Sequence, residues 1–288
     1  MGWHGYLALW CAVFGTVALV GYGRSLAGVT GAQRAVRVTG RIERVTEPRH
    51  GSSGREGIAV VVTFRDPATG EEFTVTNDGE RGDLIRAAWL GREVGIRYPP
   101  GRPHAFRFVS DLEDGRRGLG WPNFAAFLVY AGLVVVAVVD WGWPWALLGF
   151  GVPWTLLGVA YAPGSLRVTR ERAAALASVA PVPGRVIAVL EDVTVDEDGD
   201  TLTHRRPVVS FTTHEGTAVI AYCPDGLRDP ARAFGRELTV HYRPDDPAVF
   251  TPDLASEHRS RRLDFGCSVV AVLAGVAALV VGGVALAS

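Results

Sequence analysis

Four stretches of this chain are almost entirely apolar, and they restrict what the rest of it can fold into. They cover residues 5–23, 123–139, 143–162 and 265–286, and none contains an arginine or an acidic residue. About 20 mainly apolar residues are needed to cross a bilayer as a helix. Helices buried in a soluble core are the alternative, but one small domain would then need several that are apolar all round. The sequence therefore predicts four transmembrane helices.

Arginine flanks these helices on one side only. The flanking residues are Arg24, Arg34, Arg37, Arg116, Arg117, Arg167, Arg170, Arg172, Arg259, Arg261 and Arg262. The N-terminus, the turn at 140–142 and the C-terminal tail contain no arginine. Because cytoplasmic loops carry an excess of basic residues, we predict a multi-pass protein of the cell (inner) membrane with both long segments in the cytoplasm and both termini outside. The first helix is predicted to be retained, since its leader has no positive charge.

The two halves of the chain repeat one another. The phrase "YPPGRPHAF" at 98–106 returns as "YRPDDPAVF" at 242–250, an offset of 144 residues in a chain of 288. At the same offset, "VTGRIERV" matches "VPGRVIAV" and "LGREVGIRY" matches "FGRELTVHY". The unit of helix, soluble segment and helix is written twice, which predicts an internal duplication. With two crossings per unit, both copies keep the same orientation, as a parallel repeat does.

Each soluble segment has the pattern of a small β domain. Apolar and β-branched residues alternate with polar ones between Gly, Pro and Asp, which is typical of strands. The predicted strands lie near 36–46, 58–66, 71–77, 93–98 and 105–109 in the first segment, and near 184–195, 207–213, 217–222, 237–242 and 248–251 in the second. The fold class is therefore mixed, with membrane α-helices and two small β-barrel or sandwich domains of the OB or SH3 kind at 35–110 and 180–253.

The repeated phrase has the composition of a structural corner. Tyr98 and Tyr242 are predicted to close a strand, because the prolines that follow cannot donate to a ladder and force a turn. The next strand then resumes with Phe106 and Phe250 facing the core. Glycines at matched positions predict bulges or tight strand starts: Gly40 with Gly184, and Gly91 with Gly235.

On "GRVIAV", "PVVSFTTHEG" and "FGRELTVHYRPDDPAVF", the chain resembles a bacterial membrane family known as domain of unknown function 3592. Members of that family carry one or two copies of a small β domain between helices, so the resemblance covers both soluble segments. The first segment departs from the pattern where "YPPGRP" stands for "YRPDDP". The resemblance implies no catalytic residues and no cofactor.

The residues themselves also give no sign of an enzyme. The sequence has no G-x-S-x-G, no GxGxxG and no Walker loop, and its apolar helices hold no ionisable side chain that could relay ions. With 29 basic against 30 acidic residues, the chain lacks the basic field of a nucleic-acid binder. We therefore predict a non-enzymatic protein without nucleic acid or cofactor.

Two groups of residues invite a metal reading that their spacing does not support. In "TVDEDGD" at 194–200, aligning Gly199 with the loop glycine of an EF-hand places Arg205 where a bidentate glutamate is required. A solvated hairpin tip is favoured over a weak cation site there. The second group has ligand types without zinc spacing, so no metal is predicted; it comprises His204, His214, His241 and Cys223.

The tips between the first two strands differ in charge. The first tip, "EPRHGSSGRE", is basic and carries Arg49 and Arg55, whereas the second is acidic. Its acidic residues include Asp196, Asp198 and Asp200. One hypothesis is that the tips face each other or form a polarised surface for a partner. The alternative is two unrelated solvated loops, since exposed ion pairs contribute only about 0–1 kcal/mol.

Small residues recur in the fourth helix at Ala274, Ala278 and Gly282. Such spacing permits close contact with another helix of the chain or with a second copy, giving a homo-oligomer. These features favour a non-catalytic membrane protein that presents two β domains for binding or scaffolding. The alternative is a structural subunit of a membrane enzyme or transport complex. The expected partners are the lipid bilayer and another protein, and the flanking arginines could in addition recognise anionic lipid.

Overall fold

The computed structural model describes residues 2–55, 57–77, 82–112, 118–195, 201–223, 227 and 229–287. The chain divides into two compact units. A helical unit is formed by 1–34, 115–169 and 260–288, and a β unit by 35–114 and 170–259. Both soluble segments thus belong to a single unit, which the sequence did not predict.

A helix covers each predicted apolar block apart from Trp143, but the helix of the third block continues to Leu176 and that of the fourth begins already at Leu254. The helices are α1 (Trp3–Leu26), the short α2 (Gly31–Arg34), α3 (Gly120–Trp141), α4 (Pro144–Leu176) and α5 (Leu254–Ala287). Within the described residues, four helices are long and apolar enough to cross a membrane. The prediction of four such helices is confirmed at the level of length and composition.

The helical unit repeats one packing contact. The indole Nε1 of Trp10 in α1 donates to a backbone carbonyl of α3 at 3.1 Å, and that of Trp154 in α4 donates to a carbonyl of α5 at 3.2 Å. A glycine four residues after each acceptor lies against the indole. The two sets are Trp10 with Leu128 and Gly132, and Trp154 with Ala271 and Gly275. Each glycine lets a helix backbone approach the ring closely.

The small-residue face of α5 lies partly elsewhere than predicted. Gly282 is buried against Pro144 and Leu147 of α4, as contact with another helix of the chain requires. Ala274 is exposed, however, and the neighbouring Gly275 is buried. Gly275 and Gly282 are seven residues apart, close to two helical turns, so they share a face that Ala274 leaves by about 100°.

In the β unit all ten predicted strands are present, with one further short strand. The first segment supplies β1 (Val36–Val45), β2 (Val60–Arg65), β3 (Glu72–Thr76), β4 (Ala87–Ala88), β5 (Glu93–Tyr98) and β6 (Arg107–Val109). The second supplies β7 (Val182–Val195), β8 (Thr201–Thr212), β9 (Ala218–Tyr222), β10 (Glu237–Arg243) and β11 (Asp246–Thr251). The first sheet has the order β3-β2-β1-β5-β6, and the second the order β11-β10-β7-β8-β9-β4. All strand pairs within these sheets are antiparallel.

The two sheets repeat their register as well as their strand order. Gly40 pairs with Val94 in the first sheet, and Gly184 pairs with Leu238 in the second, 144 positions later on both strands. The central strand of each sheet also shifts register at the same point. The shifts lie between Ile42 and Arg44 in β1 and between Val186 and Ala188 in β7.

Glycine is required at the two matched pairs of positions for different physical reasons. Gly91 and Gly235 have φ angles of 82° and 76°, in the left-handed region that favours glycine. Gly40 and Gly184 are required by space instead. A Cβ on Gly40 would lie 2.6 Å from Ile96 Cδ1, and one on Gly184 would lie 2.6 Å from Val240 Cγ2. These two are sites of close approach, not bulges.

The second sheet is buried on both faces. One face packs on its own core, which includes Val186, Val209 and Phe211. The other face contributes to the core of the first sheet. Its contribution consists of Ala188, Leu190, Val208 and Ile220. In return the first segment adds β4 to the edge of the second sheet, where Ala87 pairs with Ala221. The two segments therefore share their apolar cores.

The repeated phrase forms the predicted corner in the first segment, where β5 ends at Tyr98. In the second segment β10 continues to Arg243 and β11 begins at Asp246, so that Pro247 lies inside a strand. Tyr98 and Tyr242 are 1 % and 2 % exposed, and Phe106 and Phe250 are also buried. Each tyrosine hydroxyl reaches the hairpin turn after the second strand of its sheet. Tyr98 donates to the Asp66 carboxylate at 2.8 Å, whereas the hydroxyl of Tyr242 accepts from the backbone N–H of His214 at 2.9 Å. In both segments the tyrosine hydroxyl is therefore hydrogen-bonded to this turn, but it donates in the first segment and accepts in the second.

We expect Gly40→Ala to lower the free energy of unfolding of the β unit by about 1–3 kcal/mol, because the new methyl group overpacks the core. The measurement is thermal or denaturant unfolding of the full chain in detergent. Gly31→Ala is the matched control, since a Cβ there meets no atom within 4 Å. Equal stability of the two variants would contradict the close approach at Gly40.

We expect Tyr98→Phe to destabilise the chain at pH 7 and to make its stability less sensitive to acid. The hydrogen bond from Tyr98 is the main cause that lowers the pKa of Asp66, followed by the Ala68 backbone N–H. A lowered pKa gives stability that is present above the ordinary value of 3.8 and is lost as pH falls through the folded-state value. The difference between wild type and variant should therefore narrow from pH 7 to about pH 3.

The free energy of unfolding above pH 10 provides a control for Tyr98→Phe. Burial, with the hydrogen bond to Asp66, raises the pKa of Tyr98 to about 12 from 10.0. The wild type should therefore lose stability as pH rises above 10, and Tyr98→Phe should lose less. Unfolding curves of both proteins that stay parallel from pH 3 to pH 11 would show that this hydrogen bond is not formed.

Candidate functional site

The predicted tip residues are only partly within the described chain. Arg49 and Arg55 are both exposed. Asp196, Asp198 and Asp200 lie outside the described residues. The Nη2 of Arg55 donates to the carbonyl of Val193 at 3.1 Å, so the basic tip reaches the β7–β8 hairpin that leads to the acidic one. The hypothesis of a polarised partner surface remains a prediction.

The basic tip also occupies an open edge of the second sheet. We define the seam segment as residues 50–55. The pairing of β7 with β10 runs only from Val182 to Arg185, which leaves the same edge of β7 unpaired further along. There the N–H of Gly51 donates to Val189 at 2.9 Å, and the N–H of Glu191 donates to Ser52 at 3.0 Å. The seam segment thus satisfies backbone groups that an open strand edge would expose.

A buried carboxylate holds the seam segment in place. Asp192 on β7 is 6 % exposed. Its Oδ1 accepts hydrogen bonds from Ser53 Oγ at 2.9 Å and from the N–H of Gly54 at 3.0 Å. Its Oδ2 lies 3.9 Å from Nη1 of Arg206. Because the carboxylate accepts from one segment while belonging to the other, it links the two segments directly.

A groove of about 1040 Å³ opens between residues of the first and second segments within the β unit. Four arginines line it, each from a different part of the chain. Arg86 precedes β4, Arg92 precedes β5, Arg172 belongs to α4 and Arg206 belongs to β8. The carboxylates of Asp83 and Glu93 also line it, which leaves a surplus of two positive charges among these six side chains.

Arg92 is held rigidly at the wall of the groove. Its guanidinium donates to the carbonyl of Ala87 and lies 4.7 Å from the ring centre of Trp89. Burial lowers the pKa of Arg92, and the charge of Asp246 partly opposes this shift. Arginine nevertheless keeps its charge in proteins, so Arg92 contributes a fixed positive charge.

The charges of Arg86 and Arg206 both affect the pKa of the Tyr222 hydroxyl. Burial raises the pKa of Tyr222 to about 12, while the charge of Arg206 and then that of Arg86 oppose the rise. The hydroxyl of Tyr222 points to the seam segment, where it lies 3.2 Å from the carbonyl of Gly54. The backbone N–H of Tyr222 in turn donates to the carbonyl of Arg86 at 2.7 Å. These contacts bring Arg86, Arg206 and the seam to one place.

The two acidic residues that line the groove, Asp83 and Glu93, have different surroundings. Asp83 accepts hydrogen bonds from the backbone N–H and the hydroxyl of Ser110, both at 2.7 Å. These bonds are the main causes that lower its pKa, with smaller contributions from Arg97 and Arg86. Glu93 is exposed and faces Arg41 across the ladder. The groove therefore has one carboxylate held by local donors and one that is open to water.

The ligand-type residues considered in the sequence are dispersed. The backbone N–H of His214 donates to Tyr242, and its Nε2 lies 2.9 Å from the carbonyl of Ala180. His204 pairs with Asp192 on the ladder, and His241 with Thr251. Within the described residues no three His, Cys, Asp or Glu side chains come together as a metal site would require.

The groove escaped sequence reasoning because its arginines are distant in the chain. Arg172 was counted only among the residues that flank the helices, and Arg86 and Arg92 fall in "IRAAWLGRE" without a motif. One signal was present. Residues 186–190 of the second segment, "VIAVL", are continuously apolar, whereas the matching "IERVT" at 42–46 is interrupted by charge, which indicates a second buried face and hence a junction between the segments.

No protein-family model, no curated protein and no solved structure matches this chain. The groove offers guanidinium groups, which donate hydrogen bonds and accept none, and that of Arg92 is fixed by its contacts.

We expect Asp192→Ala to lower the free energy of unfolding by about 1–3 kcal/mol, because it leaves the N–H of Gly54 and the Ser53 hydroxyl without their acceptor. Asp192→Asn retains an acceptor oxygen and should cost less. Unfolding of the full chain in detergent measures both effects. Glu191→Ala is the control on the neighbouring position, where the carboxylate makes an exposed ion pair with Arg205. A loss for Glu191→Ala as large as that for Asp192→Ala would argue against the link.

Proposed function

We propose that this chain is a multi-pass membrane protein whose soluble segments form one non-catalytic binding module in the cytoplasm. The observation that carries the proposal is the exposure of the apolar helices. Their most apolar windows are only 6 %, 17 %, 11 % and 11 % buried within the protein. Helices of a soluble core would bury these surfaces, whereas a bilayer covers them without protein contact.

Individual side chains support the same reading. Leu19 is 74 % exposed, Trp121 is 77 % and Val284 is 65 %. These residues lie on three different helices, so the exposed apolar surface is not one local patch. In water such extensive exposure would cause association, and in lipid it is the expected state.

The direction of insertion rests on charge and aromatic residues. The flanking arginines lie on the side of the soluble segments, which favours a cytoplasmic β unit. Trp3 and Trp141 lie at the helix ends that are opposite the arginines, and Trp143 lies between α3 and α4; all three are more than half exposed. Tryptophan is enriched at membrane interfaces, which supports an aromatic belt at the outer surface.

We also propose that the halves arose by duplication. The shared strand order, the equal registers and the matched tryptophan contacts support this reading. The OB kind of small barrel is favoured, because the first strand lies centrally and a parallel bridge joins Gly82 to Phe108 across the open side of the first sheet. The resemblance to domain of unknown function 3592 is kept as part of this proposal.

The shared cores support binding by both segments together. A groove lined by residues from each segment cannot exist in either segment alone. The module would therefore act as one composite body, with a second copy or another protein as a further partner. A partner that copurifies with an enzymatic or transport activity would instead favour the structural-subunit alternative.

Cysteine labelling tests the topology. In a background with Cys11, Cys223 and Cys267 replaced by alanine, we expect Ser52→Cys to react with a membrane-impermeant maleimide only after cell lysis. Ser52 is exposed in the β unit, so its thiol would be accessible once the reagent enters. Labelling of this variant in intact cells would place the β unit outside and contradict the proposal.

The matched control is Ser288→Cys in the same background. Because the C-terminus is proposed to lie outside, this variant should be labelled in intact cells. Extraction of both variants with alkaline carbonate checks membrane integration separately. A protein released by carbonate would contradict the transmembrane reading itself.

A further inference from the structure

We propose that the arginine-lined groove of the β unit binds an anion of the phosphate class, either a free phosphate-bearing compound or a lipid headgroup. This inference rests on the binding function proposed for the same module and names its ligand chemistry. The geometry points to phosphate because the groove combines several guanidinium groups with a concave wall from two segments. Arginine binds phosphate oxygens through pairs of parallel N–H donors.

The charge of the groove differs from that of the chain. The whole chain has a net charge of −1, whereas four arginines and two carboxylates line the groove. Two further carboxylates lie near these arginines without lining the groove, Asp192 beside Arg206 and Asp246 near Arg92, so the excess of positive charge belongs to the lining alone. One of these carboxylates, Asp83, is already engaged by two hydrogen bonds from Ser110. A local excess of positive charge in a concave site raises the concentration of anions there.

Arg206 has hydrogen-bonding capacity left for a ligand. Its distance of 3.9 Å from the Asp192 carboxylate is too long for a hydrogen bond, and its side chain is 43 % exposed. The carboxylate of Asp192 instead accepts its hydrogen bonds from the seam segment, whose two donors lie 2.9 and 3.0 Å from Oδ1. The guanidinium is thus oriented by a nearby charge without being saturated by it.

Arg86 is placed to act together with Arg206. Its main chain is fixed by the hydrogen bond from Tyr222, while its side chain is exposed. Arg92 adds a third, rigid charge on the same wall, held by Ala87 and Trp89. Part of the ordering cost of binding is therefore met by the fold, which favours affinity.

Replacement of the exposed Glu93 tests the proposal through an expected gain in anion affinity. It lines the groove but no anion-binding role suits a carboxylate. Replacing it with glutamine removes a like charge from the ligand site. Binding of an anion should become tighter, whereas a groove that bound cations would respond in the reverse direction.

The experiment uses the full chain in phosphatidylcholine nanodiscs, with inorganic pyrophosphate as the probe in calorimetric titrations at constant ionic strength. We expect saturable binding that the double variant Arg86→Gln with Arg206→Gln weakens about tenfold or more, since two charged hydrogen-bond donors are lost from the site. The control double variant is Arg65→Gln with Arg185→Gln, which removes the same charge from exposed positions of β2 and β7 that do not line the groove. It should change the affinity less than about twofold, as distant exposed charges are screened.

Glu93→Gln should bind pyrophosphate about threefold more tightly, in keeping with the small energy of an exposed charge. Glu72→Gln, an exposed carboxylate on β3 outside the groove, is its control and should leave the affinity unchanged. This arm does not depend on a loss of function, so a folding defect in the arginine variant leaves the proposal testable.

Nanodiscs that contain phosphatidic acid distinguish the two sources of phosphate. Apparent pyrophosphate affinity that falls in these discs for wild type, but not for Arg86→Gln with Arg206→Gln, supports a headgroup in the groove. Unchanged affinity supports a free compound. Absence of saturable binding in wild type, or equal weakening by both double variants, overturns the proposal. The labelling and carbonate results test membrane insertion separately, so either conclusion can fail alone.

Discussion

Burial of the second sheet on both faces is the constraint on which the rest of the β unit depends. Ala188, Leu190 and Val208 close the core of the first sheet from outside, while Val186 and Val209 face the core of the second. A five-stranded sheet of this size has one apolar face that must be covered. The back of one sheet provides that cover for the other, so neither segment has a core that is complete without its neighbour.

This arrangement makes the two similar segments unequal. Glu43 and Arg44 on β1 are exposed, and the residues at the matching positions of β7 are the half-buried Ile187 and the fully buried Ala188. The same backbone register thus faces water in the first segment and protein in the second. Contact between the front of one sheet and the back of the other is heterologous packing, which leaves different surfaces at each end.

The seam and the groove both follow from that unequal contact. Because β7 extends past β10, it has an open edge that the basic tip of the first segment occupies, and Asp192 anchors this tip. Arginines from both segments then meet beside Tyr222. A symmetric pair of segments would have produced this seam twice, whereas the unequal packing gives a composite groove lined by described residues of both segments.

Patterns with a short period could be interpreted directly from the sequence. Apolar runs of 17 to 22 residues predicted the helices, and alternation predicted the ten strands of three residues or more. These succeed because side-chain periodicity and length depend only on local backbone geometry. The two-residue strand β4 was missed, since two alanines carry no periodic signal.

What only the tertiary structure decided was which surfaces meet. The face of α5 turned out to centre on Gly275 and Gly282, because a one-residue difference rotates a helical position by about 100°. Likewise Arg86 and Arg92 come from the first segment, Arg172 from α4 and Arg206 from the second segment, and only the packing of one sheet on the other brings them to one groove. The sequence by itself determined the helices, strands and repeat through local periodicity. The site depends on contacts between residues far apart in the chain, and no local pattern encodes these.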